Sequence, residues 1–292
     1  MRAVLRWSQA MVDLFLRDQR LGPVKAMLFD KDGTLSRSEP MLTLLAEARI
    51  AAALQLHDTS ASLGAGRGQH LETLLRQAYG LNPTGLDPAG TIAVAARDHN
   101  LISTATVLAQ VGHGWPEALA ISEEIFRRTD HHHGCGSRQV PQPTEGLAEL
   151  LQKLHAAGIR CAVISNDTTS GIQAFLNDHD LNAPFAALWS ADHQPRKPDP
   201  DAVRQLCRTL HLQPGDCALI GDANSDLRMA AAAGVAVVLG YSGGWSQPVR
   251  LDPSFPLLSH WQELGVGQPS RPQAPRGESN DCSAVSDGPK QR

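Results

Sequence analysis

Two aspartates in a short motif, Asp30 and Asp32, directly follow the apolar run 26–29 and precede Gly33. If the run is a β-strand, its period of two points both acids the same way, and the glycine ends the strand. Two like charges about 4 Å apart repel by about 4 kcal/mol at an effective dielectric of 20, so the pair indicates a bound cation or a shared proton. The alternative is an aspartate-rich turn that only ends a strand, since Asp-Gly is a common turn dipeptide.

Further polar side chains follow two other apolar runs, 161–164 and 218–220, or lie in a loop between them. They supply a hydroxyl, an amide, an ammonium and two carboxylates: Ser165, Asn166, Lys197, Asp222 and Asp226. Helical patterns separate the runs, and a parallel sheet gathers the carboxyl ends of its strands along one edge. The sequence therefore predicts an α/β fold with a reactive site at that edge.

This ordered set of motifs resembles the haloacid dehalogenase superfamily of phosphatases. The motifs are Asp30-x-Asp32-Gly33-Thr34, Ser165-Asn166, Lys197 and Gly221-Asp222-x-x-x-Asp226. The likeness covers residues 25–35 and 143 to about 245. It implies a doubly wound parallel-sheet core of that family, with an inserted helical cap domain.

The resemblance also implies roles for these side chains. Asp30 would attack phosphorus to form an aspartyl-phosphate, and Asp32 would serve as general acid and base. The phosphoryl oxygens would be held by Ser165, Asn166 and Lys197. A plain structural role stays open for Ser165 as a helix cap and for Lys197 as a surface lysine.

The same resemblance implies that Mg²⁺ is the cofactor. The ion would bind Asp30, the backbone carbonyl of Asp32 and Asp222. Asp226 would support the ion from outside this set. Because Mg²⁺ neutralises the charge between a carboxylate and a phosphate dianion, the predicted reaction depends on it.

Asp32 also separates the chain from two other branches of that superfamily. Its dehalogenases lack a second acid, because halide leaves without a proton, and its P-type ion pumps carry a threonine at this position. The chain has no apolar stretch near the roughly 18 residues that a membrane span requires. Neither branch therefore fits, and no membrane span is expected.

Composition is that of a cytoplasmic enzyme. The chain has 292 residues and a formal net charge of -4, which gives no basic field to attract nucleic acid. Its five cysteines are odd in number and show no Cys-x-x-Cys spacing, which is typical of reduced thiols in the cytoplasm.

Hydrophobic spacing divides the chain into four parts. Val4, Trp7, Met11, Leu14 and Phe15 recur at helical spacing and predict an amphipathic helix over residues 3–19, which would pack on the core or on a second subunit of a homo-oligomer. The predicted parts are an N-terminal helix at 1–22, a catalytic core at 23–36 and 141–267, a helical cap at 37–140, and a disordered tail at 268–292.

Two features of the cap invite hypotheses. Arg67, flanked by glycines, could pair with a carboxylate of the substrate, the alternative being an exposed arginine in a helix connector. His131, His132, His133 and Cys135 superficially resemble a zinc site, but adjacent residues rarely point at one metal, so a polar loop is favoured.

The sequence thus predicts a Mg²⁺-dependent phosphatase acting on a small phosphorylated metabolite, with a phosphoglycolate-like substrate as the leading hypothesis. One alternative is a phosphomutase of the β-phosphoglucomutase kind, which would need a bisphosphate activator. Another is a catalytically silent binding module. The substrate itself rests on resemblance alone.

Overall fold

The structure, a computed structural model, describes residues 10–59, 67–130 and 140–267, with side chains described for 10–57, 68–130 and 140–267. Its strands are β1 Val12–Leu16, β2 Gln19–Val24, β3 Ala26–Phe29, β4 Ser36–Arg37, β5 Leu81–Asn82, β6 Gly85–Leu86, β7 Gln142–Pro143, β8 Arg160–Ile164, β9 Phe185–Trp189, β10 Cys217–Gly221, β11 Val237–Tyr241, β12 Leu257–Leu258 and β13 Leu264–Gly267. Its α-helices are α1 Glu39–Thr59, α2 Arg67–Tyr79, α3 Thr91–Val94, α4 Arg97–Gln110, α5 Trp115–Thr129, α6 Leu147–Ala156, α7 Thr169–Asp178, α8 Pro200–Thr209 and α9 Asn224–Ala233.

A parallel sheet in the order β12-β11-β10-β3-β8-β9 forms the centre of the molecule. β3 is buried on both faces: Met27 and Phe29 pack into the apolar cluster under α6 and α7, and Leu28 packs into the cluster under α8 and α9. A strand covered on both sides reads as a continuous apolar run, which is why β3, β8 and β10 stand out in the sequence. The predicted doubly wound α/β core is confirmed.

The helices α1 to α5 lie between β4 and β7 in the chain and share an apolar cluster of their own. β4 and β7 pair antiparallel, with Ser36 opposite Pro143 and Arg37 opposite Gln142, so the chain leaves the core and returns to it at one place. This separate core agrees with an inserted helical unit, and we retain residues 37–140 as the proposed cap.

The predicted N-terminal helix is wrong. β1 and β2 form an antiparallel hairpin, and β13 pairs with the other edge of β1. Val12, Leu14 and Leu16 are all buried, a period of two that competes with the helical spacing of Met11, Leu14 and Phe15. The turn decides between them, because Arg17 and Asp18 both take positive φ (49° and 67°), which suits the twist of a tight hairpin.

The prediction of a homo-oligomer through this helix therefore loses its basis. Residues 1–9, the loop with His131, His132, His133 and Cys135, and the tail at 268–292 lie outside the described residues. Among the residues that the structure describes, Cys161, Cys207 and Cys217 are buried free thiols. In the same described part, every helix is too short or too polar to cross a membrane.

Candidate active site

The polar motifs meet in one pocket at the carboxyl edge of the central sheet. Asp30 follows β3, Ser165 follows β8 and Asp222 follows β10, in agreement with the rule that open α/β sheets bind ligands at this edge. The predicted core residues that line the pocket are Asp30, Asp32, Ser165, Asn166, Lys197, Asp222 and Asp226. Ala93 and Val94 of α3 line it from the cap side. Arg67 begins α2, but its side chain lies outside the described ones, so its role stays a prediction.

Three buried carboxylates form the base of the pocket. Asp30, Asp222 and Asp226 each offer an oxygen within 4.8 Å of the others, and each residue is less than a tenth exposed. Lys197 Nζ lies 2.6 Å from Asp30 Oδ1 and 2.7 Å from Asp226 Oδ1. One ammonium therefore faces three carboxylates, which leaves an excess of negative charge in a buried place.

That excess shifts the carboxyl groups toward their neutral forms. Burial raises the pKa of Asp30 to about 6, and Lys197 opposes this shift while the charge of Asp226 adds to it. Burial also raises the pKa of Asp222 well above its usual range, and the charges of Asp30 and Asp226 raise it further. A divalent cation would relieve both, and carboxylate oxygens are the ligands that Mg²⁺ takes. The residues present therefore fit the implied ion.

Asp222 is oriented by two donors, one for each of its oxygens. Thr34 Oγ1 donates to Oδ1 at 3.0 Å, and Trp245 Nε1 donates to Oδ2 at 2.6 Å. Sequence reasoning missed Trp245. The available signal was Gly243-Gly244 just before it, because paired glycines after a strand allow a loop to approach another backbone closely.

Asp32 is held by one donor from its own loop and one from the start of the cap. Its Oδ1 accepts from Lys31 Nζ at 2.6 Å and from Ser38 Oγ. Lys31 is 2% exposed and also pairs with Asp167 at 3.1 Å. Burial alone would raise the pKa of Asp32, but the charge and hydrogen bond of Lys31 outweigh it, so the pKa is lowered. In this arrangement Asp32 is an ionised carboxylate, suited to accept a proton.

The opposite wall of the pocket offers donors for an oxyanion. Ser165 Oγ accepts from the N–H of Asp167 at 3.1 Å, so its hydroxyl proton can go to a ligand. Asn166 Nδ2 donates to the carbonyl of Val94 at 3.2 Å, which brings the cap against this wall. Asn166 Oδ1 is buried and has no hydrogen-bond partner among the described residues. The Ser165 hydroxyl, the second N–H of Asn166 Nδ2 and the Lys197 ammonium can donate to the oxygens of a phosphoryl group, whereas Asn166 Oδ1 can only accept.

The chain is similar to known proteins over most of its length. The family model of the haloacid dehalogenase-like hydrolases matches residues 24–234. The phosphoglycolate phosphatase of Rhodospirillum rubrum is 31% identical over 258 residues, which cover 84% of this chain and 92% of that protein. That of Thiobacillus denitrificans is 28% identical over 248 residues, covering 81% of this chain and 93% of that protein.

Among solved structures, a predicted phosphoglycolate phosphatase from Haemophilus somnus 129pt is similar with a TM-score of 0.55 at 20% identity. The match covers 80% of this chain and 93% of that chain. At this level of identity the similarity shows the fold, which is the parallel sheet and its helices.

Proposed function

We propose that this protein hydrolyses a small phosphorylated metabolite with Mg²⁺, through an aspartyl-phosphate on Asp30. The chain belongs to the haloacid dehalogenase-like hydrolase family and is a phosphatase of that family. The observation that carries this proposal is the buried cluster in which Lys197 and two further acids surround Asp30 at the end of β3. Phosphoglycolate is the leading substrate, because the curated relatives described above carry that name.

Asp30 is the proposed nucleophile, and its surroundings support that role. Lys197 Nζ fixes Asp30 Oδ1 at 2.6 Å, so the carboxylate has one orientation toward the pocket. Attack on phosphorus forms the Asp30–phosphorus bond and breaks the bond from phosphorus to the leaving oxygen. Asp30, Asp222 and the Asp32 backbone carbonyl would hold Mg²⁺, which would supply positive charge between the carboxylate and the phosphate. Ser165, Asn166 and Lys197 hold the phosphoryl oxygens.

Asp32 is the proposed general acid and base. In the first step it gives its proton to the leaving oxygen, and in the second it takes a proton from the water that attacks the aspartyl-phosphate. The second step releases inorganic phosphate and restores the Asp30 carboxylate. To donate a proton, Asp32 must first take one up from solvent, and its contact with Lys31, which favours the ionised form, opposes this uptake.

Phosphate release from a panel of phosphorylated metabolites, including phosphoglycolate, tests the proposal. We expect turnover that requires Mg²⁺ and stops in EDTA, and we expect Asp30→Asn to abolish it while circular dichroism shows an intact fold. Asp180→Asn is the matched control, because Asp180 is exposed and its positive φ of 54° suits asparagine. Normal activity of Asp30→Asn or full activity in EDTA would contradict the mechanism. Isomerisation with little phosphate release would support a phosphomutase instead.

Arg67 enters this proposal as a recognition residue for carboxylated substrates. Charge-assisted hydrogen bonds contribute about 1.5–3 kcal/mol, so Arg67→Ala should lower kcat/KM for phosphoglycolate by tenfold or more. Hydrolysis of an uncharged aryl phosphate should scarcely change. An equal loss on both substrates would argue that Arg67 supports the cap instead.

A further inference from the structure

We propose that Trp245 is a positioning residue, which orients Asp222 for Mg²⁺ and links this ligand to the cap. The inference rests on the proposed function, because it requires Asp222 to bind the ion. Nothing in the motif pattern of the sequence assigns Trp245 a role. Its contacts on three sides carry the argument.

On its first side, Trp245 donates a hydrogen bond to Asp222, the proposed metal ligand. The Trp245 indole is buried, at 8% exposure, and its Nε1 lies 2.6 Å from Asp222 Oδ2. Thr34 donates to the other oxygen, Asp222 Oδ1. Each carboxylate oxygen therefore accepts from one protein donor and keeps a lone pair for a cation. Two donors on two oxygens fix the plane of the carboxylate. Contacts of this kind orient metal ligands and change metal affinity by about 10- to 100-fold when removed.

The second side is the close packing against the motif that carries the nucleophile. A Cβ added at Gly33 would lie 2.1 Å from Trp245 Nε1, and one added at Gly244 would lie 1.9 Å from the Gly33 carbonyl oxygen. The two backbones are therefore in direct contact, with room for glycine alone. The backbone of Gly33 therefore packs directly against the edge of the indole that donates to Asp222.

The third side is the cap. The segment 243–247, here called the tryptophan loop, binds the start of α1, because Ser246 donates from its N–H at 2.8 Å and from its hydroxyl at 2.7 Å to the Glu39 carboxylate. Gln247 Nε2 donates to the Thr84 carbonyl between β5 and β6. The indole itself packs in the apolar cluster of the cap. One loop therefore contacts both the cap and the proposed metal ligand.

Trp245→Phe tests the inference, because it keeps an aromatic side chain at this position and removes the indole N–H. Binding of Mn²⁺, a probe for the Mg²⁺ site, is measured without substrate from the electron paramagnetic resonance signal of the free ion. We expect the dissociation constant to rise about tenfold or more. The matched control is Trp261→Phe, which also removes a buried indole donor, since Trp261 Nε1 donates to Thr144 Oγ1 at 2.8 Å. The control should bind Mn²⁺ as the wild type does.

Glu39→Ala tests the link to the cap with a variant that leaves the indole in place. It should weaken Mn²⁺ binding severalfold in the wild-type background and add little to Trp245→Phe, because both changes act through the same loop. If the wild type binds no Mn²⁺, the proposed function fails. If the wild type binds and Trp245→Phe binds equally well, or if Trp261→Phe loses as much, the positioning role is overturned. Unchanged affinity in Glu39→Ala overturns the link to the cap.

Discussion

In the proposed mechanism Asp32 serves in two protonation states, and its neighbours in the structure favour one of them. Its contacts with Lys31 and Ser38 stabilise the carboxylate, whereas the first proposed step needs the acid. General acid catalysis contributes about 10²- to 10⁴-fold, so Asp32→Asn should lower kcat for alkyl phosphates by that factor. The loss should be smaller for 4-nitrophenyl phosphate, because nitrophenolate leaves without a proton. Steady-state rates on both substrates check this, and equal losses would argue for a structural role.

Gly33 has no room for any side chain. Its φ is +78°, and an added Cβ would lie 2.3 Å from Asp222 Oδ2 as well as against Trp245. Gly33→Ala should therefore lower the free energy of unfolding by at least about 1–3 kcal/mol, the usual cost of such backbone strain. It should also weaken Mg²⁺ binding, because the added methyl group displaces a ligand.

Urea unfolding and a Mg²⁺ titration measure both effects of Gly33→Ala. Gly215→Ala is the matched control, since a Cβ there meets nothing within 4 Å. We expect the control to behave as the wild type does in both assays. Equal stability and equal Mg²⁺ affinity of the two variants would contradict the packing argument.

The sequence pattern identifies candidate residues that would touch the substrate or the metal. It misses residues whose role is to orient another side chain. Asp30, Ser165 and Asp222 were predictable because each follows an apolar run at the end of a strand. Trp245 was not, because its role comes from one hydrogen bond to a carboxylate on a different strand end. Lys31 was also missed, because alternation along a strand would point it away from Asp32, whereas the chain bends after β3 and brings Nζ back to that acid.

At the scale of elements, burial decides which strands can be predicted. The central strands β3, β8 and β10 are fully or almost fully buried, so selection for apolar residues acts at every position. β9 lies at the sheet edge with partly exposed residues, and β12 has two residues, so neither gives a strong pattern. The N-terminal segment failed for a different reason: its apolar residues fit both periods, and the turn at Arg17 and Asp18 settles the choice.

The N-terminal hairpin contains an ion pair that should contribute to stability. Asp13 in β1 is fully buried, and Arg20 in β2 binds both of its oxygens at 2.8 and 2.7 Å. Arg20→Met leaves a buried carboxylate without its main partner and should therefore lower the free energy of unfolding. The free energy of unfolding in urea measures this loss. Arg208→Met, at an exposed position of α8, should change it by less than about 0.5 kcal/mol. Equal values for the two variants would show that the buried pair adds nothing.

At the scale of the molecule, sequence could predict that a helical unit interrupts the core but not how it sits there. Its helices α1, α2 and α5 carry apolar residues at spacings of three and four, such as Leu42, Leu45 and Ala46 in α1. The contacts that place it join residues far apart in the chain, such as Asn166 with Val94 and Ser246 with Glu39. Such pairs leave no periodic signal. The placement of the cap therefore depends on contacts that single-sequence patterns do not contain.

The charge of the active site should make the stability of the whole protein depend on pH and Mg²⁺ together. In the metal-free protein, burial raises the pKa of Asp30 from 3.8 to about 6. Between these values the folded state holds a proton that the unfolded state has lost, so this group stabilises the fold at low pH. Its contribution is lost as the pH rises through about 6. A shift of this size corresponds to roughly 3 kcal/mol.

The raised pKa of Asp222 acts in the same direction as that of Asp30, and the lowered pKa of Asp32 acts in the opposite direction at more acidic pH, so the effect of Asp30 is measured as a difference. In EDTA, the wild type should lose stability relative to Asp30→Asn between about pH 4 and pH 6, because the amide of the variant cannot ionise. The free energy of unfolding of the variant minus that of the wild type should therefore grow over this range. With Mg²⁺ at about 100 times its dissociation constant, the wild type should gain about 2.7 kcal/mol, and the variant should gain less because it lacks one ligand. Urea unfolding across this pH range measures both, with Asp180→Asn as the control that follows the wild type. A difference that stays flat with pH in EDTA would show that burial does not hold the Asp30 proton, and the account of the acidic cluster as a cation site would lose its electrostatic basis.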